Sequence, residues 1–502
     1  MRLNILIGGS AGQGINKISQ IISEVLTSYG YYTFNYRDYQ SLIRGGHNFN
    51  ILCISNQKIQ SNDEKIDFLI ALDKNTLNLH KNKLKEKAII LESDKFLELK
   101  KDMNLALAGS LIKILGIPES YLIKEIKKHF NNINSINAAK QGYTYQKEKY
   151  NLKRLNNKPK IISGSRAIAI GAKNSKLDFY FAYPMTPATG VTNEICLMND
   201  KKLKFFQPEN EIAVANIALG ASFAGKKVMI GSSGGGIDLM GEAISMQGIS
   251  EIPLTVYLAS RPGPATGVPT YTSQSDLNLA LNIGHGEFTR IVAAPGDPIQ
   301  AIELTNQLIY LAEKYNSLSI ILSDKHLAES EYSINLNYKT PLVISKKYSN
   351  KIIKKSSYET NQLGNSTENQ NQVTKNINQR LSKEKDIENQ VKNFKTYEIY
   401  GKKSSKNLII GWGSTKGAII DAIEDIDAKF LQILYLNPFP ESIKKELQNS
   451  KKIIIIENNA TSQLRELIKQ KIQINIENRI LKYDGRPFFT DELNKKIKEI
   501  IK

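Results

Sequence analysis

Leu3-Asn4-Ile5-Leu6-Ile7-Gly8-Gly9-Ser10-Ala11-Gly12-Gln13-Gly14-Ile15 sets an apolar run against a glycine-rich turn and the start of an amphipathic stretch. Ile15, Ile18, Ile21, Ile22, Val25 and Leu26 continue it at helical spacing, so the sequence predicts strand, glycine loop, helix. Short apolar runs at Ile66–Leu72 and Ala88–Leu91 follow, separated by polar helical stretches. Strands alternating with helices predict a parallel α/β sheet. The unit fades over Gln141–Lys160, where Lys, Asn and Tyr dominate.

The same alternation resumes further on. Strands are expected at Phe179–Tyr183, Lys227–Gly231, Leu254–Ala259, Arg290–Ala293 and Ser319–Ser323, with helices at Ser165–Lys173, Glu211–Ala224, Ile237–Ile249 and Pro298–Tyr315. Residues 346–398 read as a low-complexity linker. Between Glu359 and Gln379 only Leu363, Val373 and Ile377 are sizeable apolar residues, too few to offset the entropy of ordering, so disorder is expected. Asn407-Leu408-Ile409-Ile410-Gly411 and Ile453–Ile456 then begin a last α/β unit. The expected fold class is α/β, with units over 1–155, 161–335 and 400–502. A chain of 502 residues fits about three domains.

Composition excludes several classes. Hydrophobic residues make up 41% without a run of about 18 uncharged apolar residues, so no transmembrane helix is expected. The Met1–Gly9 stretch does not read as a signal peptide. Cys53 and Cys196 are the two cysteines, too few for a disulfide framework or a self-contained four-cysteine metal or iron–sulfur site, and they predict a reducing, cytoplasmic setting. The net charge of +19 raises nucleic acid as a partner, but the excess is spread along the chain and Lys greatly outnumbers Arg. No recognition helix, zinc-finger spacing or aromatic–basic ladder accompanies it, so nucleic-acid binding is not expected.

Within the first glycine loop, Gly9 and Gly14 bracket four residues as a P-loop would, yet Ile15-Asn16 stands where Lys-Ser/Thr is needed. The order Gly9-x-x-Gly12-x-Gly14 is not the dinucleotide pattern either. Two readings remain: a tight turn that lets the helix pack on the sheet, or backbone amides offered to a cofactor phosphate. Arg44-Gly45-Gly46-His47 would add a cation to the second.

The densest chemistry follows the central strands. Tyr183-Pro184-Met185-Thr186-Pro187-Ala188-Thr189-Gly190 holds a threonine between two prolines. Glu209-Asn210-Glu211 precedes a helix rich in alanine, where Glu211 reads either as a charge favoured by the helix dipole or as a site carboxylate. Gly231–Ile237, Arg261–Thr270, Gln274-Ser275-Asp276-Leu277 and Gly284-His285-Gly286-Glu287 complete the set. Turns of this kind at successive strand ends indicate a ligand crevice.

Together these motifs resemble the alpha subunit of 2-oxoacid:ferredoxin oxidoreductases, most like the 2-oxoglutarate type. The Gly8–Gly14 loop and Arg44-Gly45-Gly46 are similar to the gamma domain, fused ahead of alpha in one branch of the family. Leu436–Pro440, Ile456–Asn459 and Tyr483–Phe488 are similar to the alpha C-terminal domain. The resemblance implies a gamma-type domain, a thiamine-diphosphate pyrimidine-binding domain and a transketolase C-terminal-like domain. It also implies thiamine diphosphate shared with a beta subunit, coenzyme A as co-substrate, and Mg²⁺ and a [4Fe-4S] cluster on that beta subunit rather than here. An (alpha-beta)2 heterotetramer passing electrons to ferredoxin is implied.

By the same resemblance Glu211 hydrogen-bonds the aminopyrimidine ring, Thr186 orients the 2-oxoacid, and Arg261 contacts the substrate carboxylate or the CoA end. Gly12, Gln13, Gly14 and Arg44 are the implied CoA-side contacts. Met185 stands where isoleucine is usual, and Ala188 and Ala265 replace common hydroxyl residues. The alternatives are a pyruvate or branched-chain 2-oxoacid oxidoreductase subunit, or a non-catalytic scaffold subunit.

Overall fold

A computed structural model of the chain describes residues 1–40, 46–130, 132–339, 343–344 and 354–502. Among the described residues the strands form three sheets, two of seven strands and one of five.

The first sheet has the order Leu84–Glu92, Ile66–Ala71, Arg2–Ser10, His47–Ser55, Tyr32–Asp38, Glu331–Ile334, Lys160–Ser163. The expected glycine-loop unit is there: Arg2–Ser10 leads through the turn into helix Ile15–Ser28, whose buried isoleucines pack on the sheet. The sheet is mixed, not parallel as expected. Arg2–Ser10 runs parallel to Ile66–Ala71 but antiparallel to His47–Ser55, which also pairs antiparallel with Tyr32–Asp38. Polar residues such as Asn35, Asn48 and Asn50 interrupt these two strands and hide their pattern.

Lys160–Ser163 and Glu331–Ile334 bracket the central unit and both join the first sheet. The first sheet thus extends into the central unit across the expected 155/161 boundary, and the two units share one apolar core that includes Phe34, Ile51, Ile162 and Tyr332.

The central sheet places the expected strands side by side. Arg290–Ala293, Leu318–Asp324, Leu254–Ser260, Val228–Ser232, Phe179–Ala182 and Lys204–Phe206 run parallel in that order. Their near-continuous burial suits a sheet covered by helices on both faces. Tyr435–Asn437, from the C-terminal unit, closes the far edge antiparallel to Arg290–Ala293.

The five-stranded sheet is parallel across Lys429–Ile433, Asn407–Trp412, Lys452–Glu457 and Asn478–Leu481, with Tyr397–Gly401 antiparallel at its edge. It is bolted to the central unit by Lys416 Nζ and Asp297 Oδ2, a buried ion pair at 2.6 Å, and by the reciprocal amides of Gln300 and Gln432.

The 346–398 stretch departs from expectation. Residues 345–353 lie outside the described residues, but Gln370–Val391 forms a helix. Only Ile387 and Val391 are buried on it, and polar anchors do the rest: Asn369 caps its start, Arg380 pairs with Glu359 at 2.7 Å, and Lys383 pairs with Glu251. Low apolar content therefore did not prevent order, because the two buried residues and two ion pairs fasten the helix to its neighbours. No helix among the described residues is long and apolar enough to cross a membrane.

Candidate functional site

In a parallel sheet the loops at the carboxyl ends of the strands converge on one edge. Here that edge gathers the turn after Phe179–Ala182, the Ser233–Gly236 turn after Val228–Ser232, and the Arg261–Asp276 loop after Leu254–Ser260. Glu211 joins them as the first residue of helix Glu211–Phe223, which follows edge strand Lys204–Phe206.

Thr186 and Arg261 are brought together. The Arg261 Nη1 donates to the Thr186 carbonyl oxygen at 3.0 Å, and Arg261 Nε is buried without a hydrogen-bond partner among the described residues. Burial pushes the guanidinium pKa down, opposed by the charge of Asp276. Asp276 itself accepts from Ser260 Oγ at 2.8 Å, and burial raises its pKa against that hydrogen bond and the Arg261 charge.

Asn210 prepares Glu211 by capping the helix, its Oδ1 accepting from Ala213 N at 2.8 Å. The Glu211 residue is 6% exposed, and its carboxylate has no hydrogen-bond partner among the described residues. The small exposed part of the residue includes its carboxylate oxygens, which open toward the crevice. The residue lies against the Gly236 turn, where an added Cβ would stand 3.0 Å from Glu211 Cγ and 2.0 Å from Ser232 Oγ. Ser232 Oγ in turn approaches Met185 Sδ at 3.9 Å, which ties Glu211's surroundings to the Tyr183–Gly190 turn. A chain of contacts thus links Glu211, Gly236, Ser232 and Met185 to the neighbouring Thr186, with Arg261 beyond.

The N-terminal residues sit elsewhere, on the first sheet. Gly12 and Gly14 have φ of 96° and 79°, left-handed values that require glycine. Gln13 braces its own turn: its Oε1 accepts from Ser10 N at 2.8 Å, its Nε2 donates to Leu72 O at 3.4 Å, and its carbonyl accepts from Asn104 at 3.1 Å. The Gln13 side chain is therefore engaged in holding the loop. Arg44 lies outside the described residues. Gly284–Glu287 forms a turn with His285 exposed and Gly284 O accepting from Arg290, a structural arrangement.

Sequence reasoning singled out Gln274-Ser275-Asp276 but not what the residues do. Gln274 stitches the central loop to the C-terminal unit: its Nε2 donates to Trp412 O and its Oε1 accepts from Asn458 N, both at 2.8 Å. Thr270, the last residue of the Arg261–Thr270 motif, has its Oγ1 buried without a hydrogen-bond partner among the described residues, which the motif alone did not indicate. Among the described residues no group of three or more His, Cys, Asp and Glu could hold a metal ion.

Comparisons with known proteins converge on these same units. Residues 4–147 match the family model described as pyruvate ferredoxin/flavodoxin oxidoreductase. Residues 170–396 match pyruvate flavodoxin/ferredoxin oxidoreductase, thiamine diphosphate-binding. The 2-oxoacid:ferredoxin oxidoreductase subunit alpha of Saccharolobus solfataricus is 29% identical, over 100% of this chain and 98% of its own length. The 2-oxoglutarate synthase subunit KorA of Archaeoglobus fulgidus is 34% identical over 34% of this chain and 50% of its own. The fold matches the 2-oxoglutarate:ferredoxin oxidoreductase of Magnetococcus marinus, solved with 2-oxoglutarate, coenzyme A and succinyl-CoA bound, at a TM-score of 0.90 over 100% of both chains and 24% identity. With both family models matched in one polypeptide and an alpha subunit aligned along its full length, the chain is similar throughout to the alpha subunits of 2-oxoacid:ferredoxin oxidoreductases.

Proposed function

We propose that this subunit, paired with a beta subunit that carries the diphosphate-binding domain, oxidatively decarboxylates 2-oxoglutarate to its CoA thioester and CO₂ and passes two electrons to ferredoxin. The observation that carries the reading is the largely buried Glu211, whose carboxylate has no hydrogen-bond partner among the described residues and which packs against the Gly236 turn linked through Ser232 and Met185 to Thr186 and Arg261. Its chemistry suits the ring nitrogen of an aminopyrimidine, and Gly236, without a side chain, lets Glu211 and Ser232 pack closely against the turn. Thiamine diphosphate, when bound, supplies the electron sink that decarboxylation of a 2-oxoacid requires.

The chain's own residues do the remainder. Glu211 holds the hydrogen bond to the pyrimidine and fixes its orientation. Arg261, desolvated and with a free Nε, clamps a carboxylate in a way lysine could not match. Thr186, whose carbonyl Arg261 holds, offers a hydroxyl suited to orienting the keto group. Gly12, Gln13, Gly14 and Arg44 are proposed for the CoA side; the engaged Gln13 side chain leaves its loop to act through backbone amides. Mg²⁺ and the [4Fe-4S] cluster belong on the beta subunit.

An apolar surface supports the partner. Leu197, Phe206, Ile212, Phe223 and Leu239 are each more than half exposed, on or next to helix Glu211–Phe223 and its edge strand. Exposed apolar side chains gathered this way mark an interface, and this one borders Glu211, as a shared coenzyme demands. An (alpha-beta)2 assembly follows from this reading. A cytoplasmic setting accords with two unpaired cysteines, Cys53 and Cys196.

The test is Glu211→Gln in the purified assembly. It is expected to keep folding and beta-subunit binding while losing more than about 99% of CoA- and 2-oxoglutarate-dependent ferredoxin reduction, a barrier increase of about 3 kcal/mol or more. Near-normal turnover would defeat the assignment. Initial rates with pyruvate and 2-oxoisovalerate in place of 2-oxoglutarate test the substrate.

A further inference from the structure

The Tyr483–Phe488 motif lies in the C-terminal unit and touches no residue assigned so far to chemistry, yet it converges on the Arg261 loop. The loop's tip, residues 263–268, is exposed, while its return segment from Thr270 to Gln274 is buried. That return segment is held from outside the central unit. Thr272 N donates to Gly485 O at 3.0 Å, and Gln274 N donates to Asn458 O at 2.8 Å. Gly485, at φ 82°, approaches so closely that an added Cβ would stand 3.1 Å from Tyr271 Cβ.

Arg486 completes the contact. Its guanidinium stacks on the Tyr271 ring at 3.9 Å and pairs with Asp38 at 3.5 Å. Asp38 ends strand Tyr32–Asp38 of the first sheet, is 4% exposed, and also accepts from Tyr36 OH at 3.0 Å. One side chain therefore joins all three sheets at the root of the loop that carries Arg261. A planar guanidinium can lie flat on a ring and still present an edge to a carboxylate, which an ammonium cannot do.

We infer that Arg486 is a positioning residue for the Arg261 loop: through Tyr271 and Asp38 it fixes that loop against the first sheet and so sets the aim of Arg261 at the substrate carboxylate. This rests on the reading of Arg261 as the carboxylate clamp.

The experiment uses the full assembly with Arg486→Met, Arg486→Lys, Tyr271→Leu and, as the reference, Arg261→Lys. Arg486→Met is expected to raise the KM for 2-oxoglutarate at least fivefold with kcat changed less than twofold. Exchange of the Thr272 and Gln274 amides should quicken at least tenfold while strand Leu254–Ser260 is unchanged. Arg486→Lys, which restores the charge but not the stack, should recover less than half of the KM, and Tyr271→Leu should reproduce the Met variant.

An unchanged KM in Arg486→Met and Tyr271→Leu, with Arg261→Lys raising it, would overturn the inference. So would a fall in kcat and melting temperature with KM constant, the mark of a merely structural residue. An Arg261→Lys assembly with normal KM would instead overturn the functional reading itself.

Discussion

Removing the Lys416 charge tests how the C-terminal unit is held to the rest. Lys416 Nζ lies 2.6 Å from Asp297 Oδ2, with both side chains under one-tenth exposed. Asp297 also caps helix Pro298–Tyr315, its Oδ1 accepting from Gln300 N at 2.9 Å. Burial alone would push the Asp297 pKa up; the Lys416 charge and the two hydrogen bonds more than offset it and hold the carboxyl below its ordinary value. At an effective dielectric of about 20 the pair attraction is about 6 kcal/mol before desolvation. Lys416→Met would strand a buried carboxylate, and losses from breaking such pairs run at about 3–5 kcal/mol. With an unfolding entropy of about 1 kcal/mol/K for a chain of this length, the melting temperature should fall by about 4 °C at pH 7.

The pH dependence has a definite sign. In the parent protein the depressed carboxyl contributes stability above its unfolded pKa of about 3.9, and that contribution is lost as pH falls through the lower folded value. In the variant burial dominates, so Asp297 takes up a proton early and the gap between the two proteins narrows from pH 7 toward pH 5. Calorimetry at both pH values, with the double variant Asp297→Asn/Lys416→Met as control, reads all three terms. The double variant should recover most of the loss. A single variant melting within about 1 °C of the parent at pH 7 would refute the reasoning.

Other consequences are as specific. His326 is buried against Phe34 and Tyr36, and burial together with the Lys325 charge pushes its pKa down to about 3. The unfolded chain therefore binds one more proton there below about pH 6.5, and His326→Phe should remove about 1.4 kcal/mol per pH unit from the acid loss of stability between pH 6 and pH 4, measured by urea unfolding. Gly236→Ala puts a Cβ 2.0 Å from Ser232 Oγ; thiamine diphosphate binding to the assembly, followed by titration calorimetry, should weaken at least tenfold with the far-ultraviolet dichroism unchanged. Ile217→Asp, on the exposed side of helix Glu211–Phe223, should leave the chain folded and abolish co-purification of the beta subunit; intact assembly would place the interface elsewhere.

Much of the architecture is written in local pattern. The isoleucine spacing of Ile15–Leu26 and the apolar runs at 227–231, 254–259 and 319–323 could form nothing but helix and buried strand, and so they do. The Tyr183–Gly190 and Arg261–Leu277 motifs likewise marked the right sheet edge. Hydrogen-bonding partners were not written there. Tyr32–Asp38 and His47–Ser55 became strands through pairing that their asparagines concealed, and Gln370–Val391 became a helix because neighbours supplied the anchors its own composition lacks.

By itself the amino-acid sequence determined which segments are strands beside glycine turns, and it singled out the turns that gather at one edge of the central sheet. Only the tertiary structure decided that Glu211 is largely buried with no hydrogen-bond partner for its carboxylate among the described residues, and that Arg261 rests on the Thr186 carbonyl. It alone brought Asp38, Tyr271 and Arg486 together from three sheets. The physical reason is range: propensity and periodicity act over a few residues, whereas burial and charge pairing join groups that only the folded chain makes neighbours.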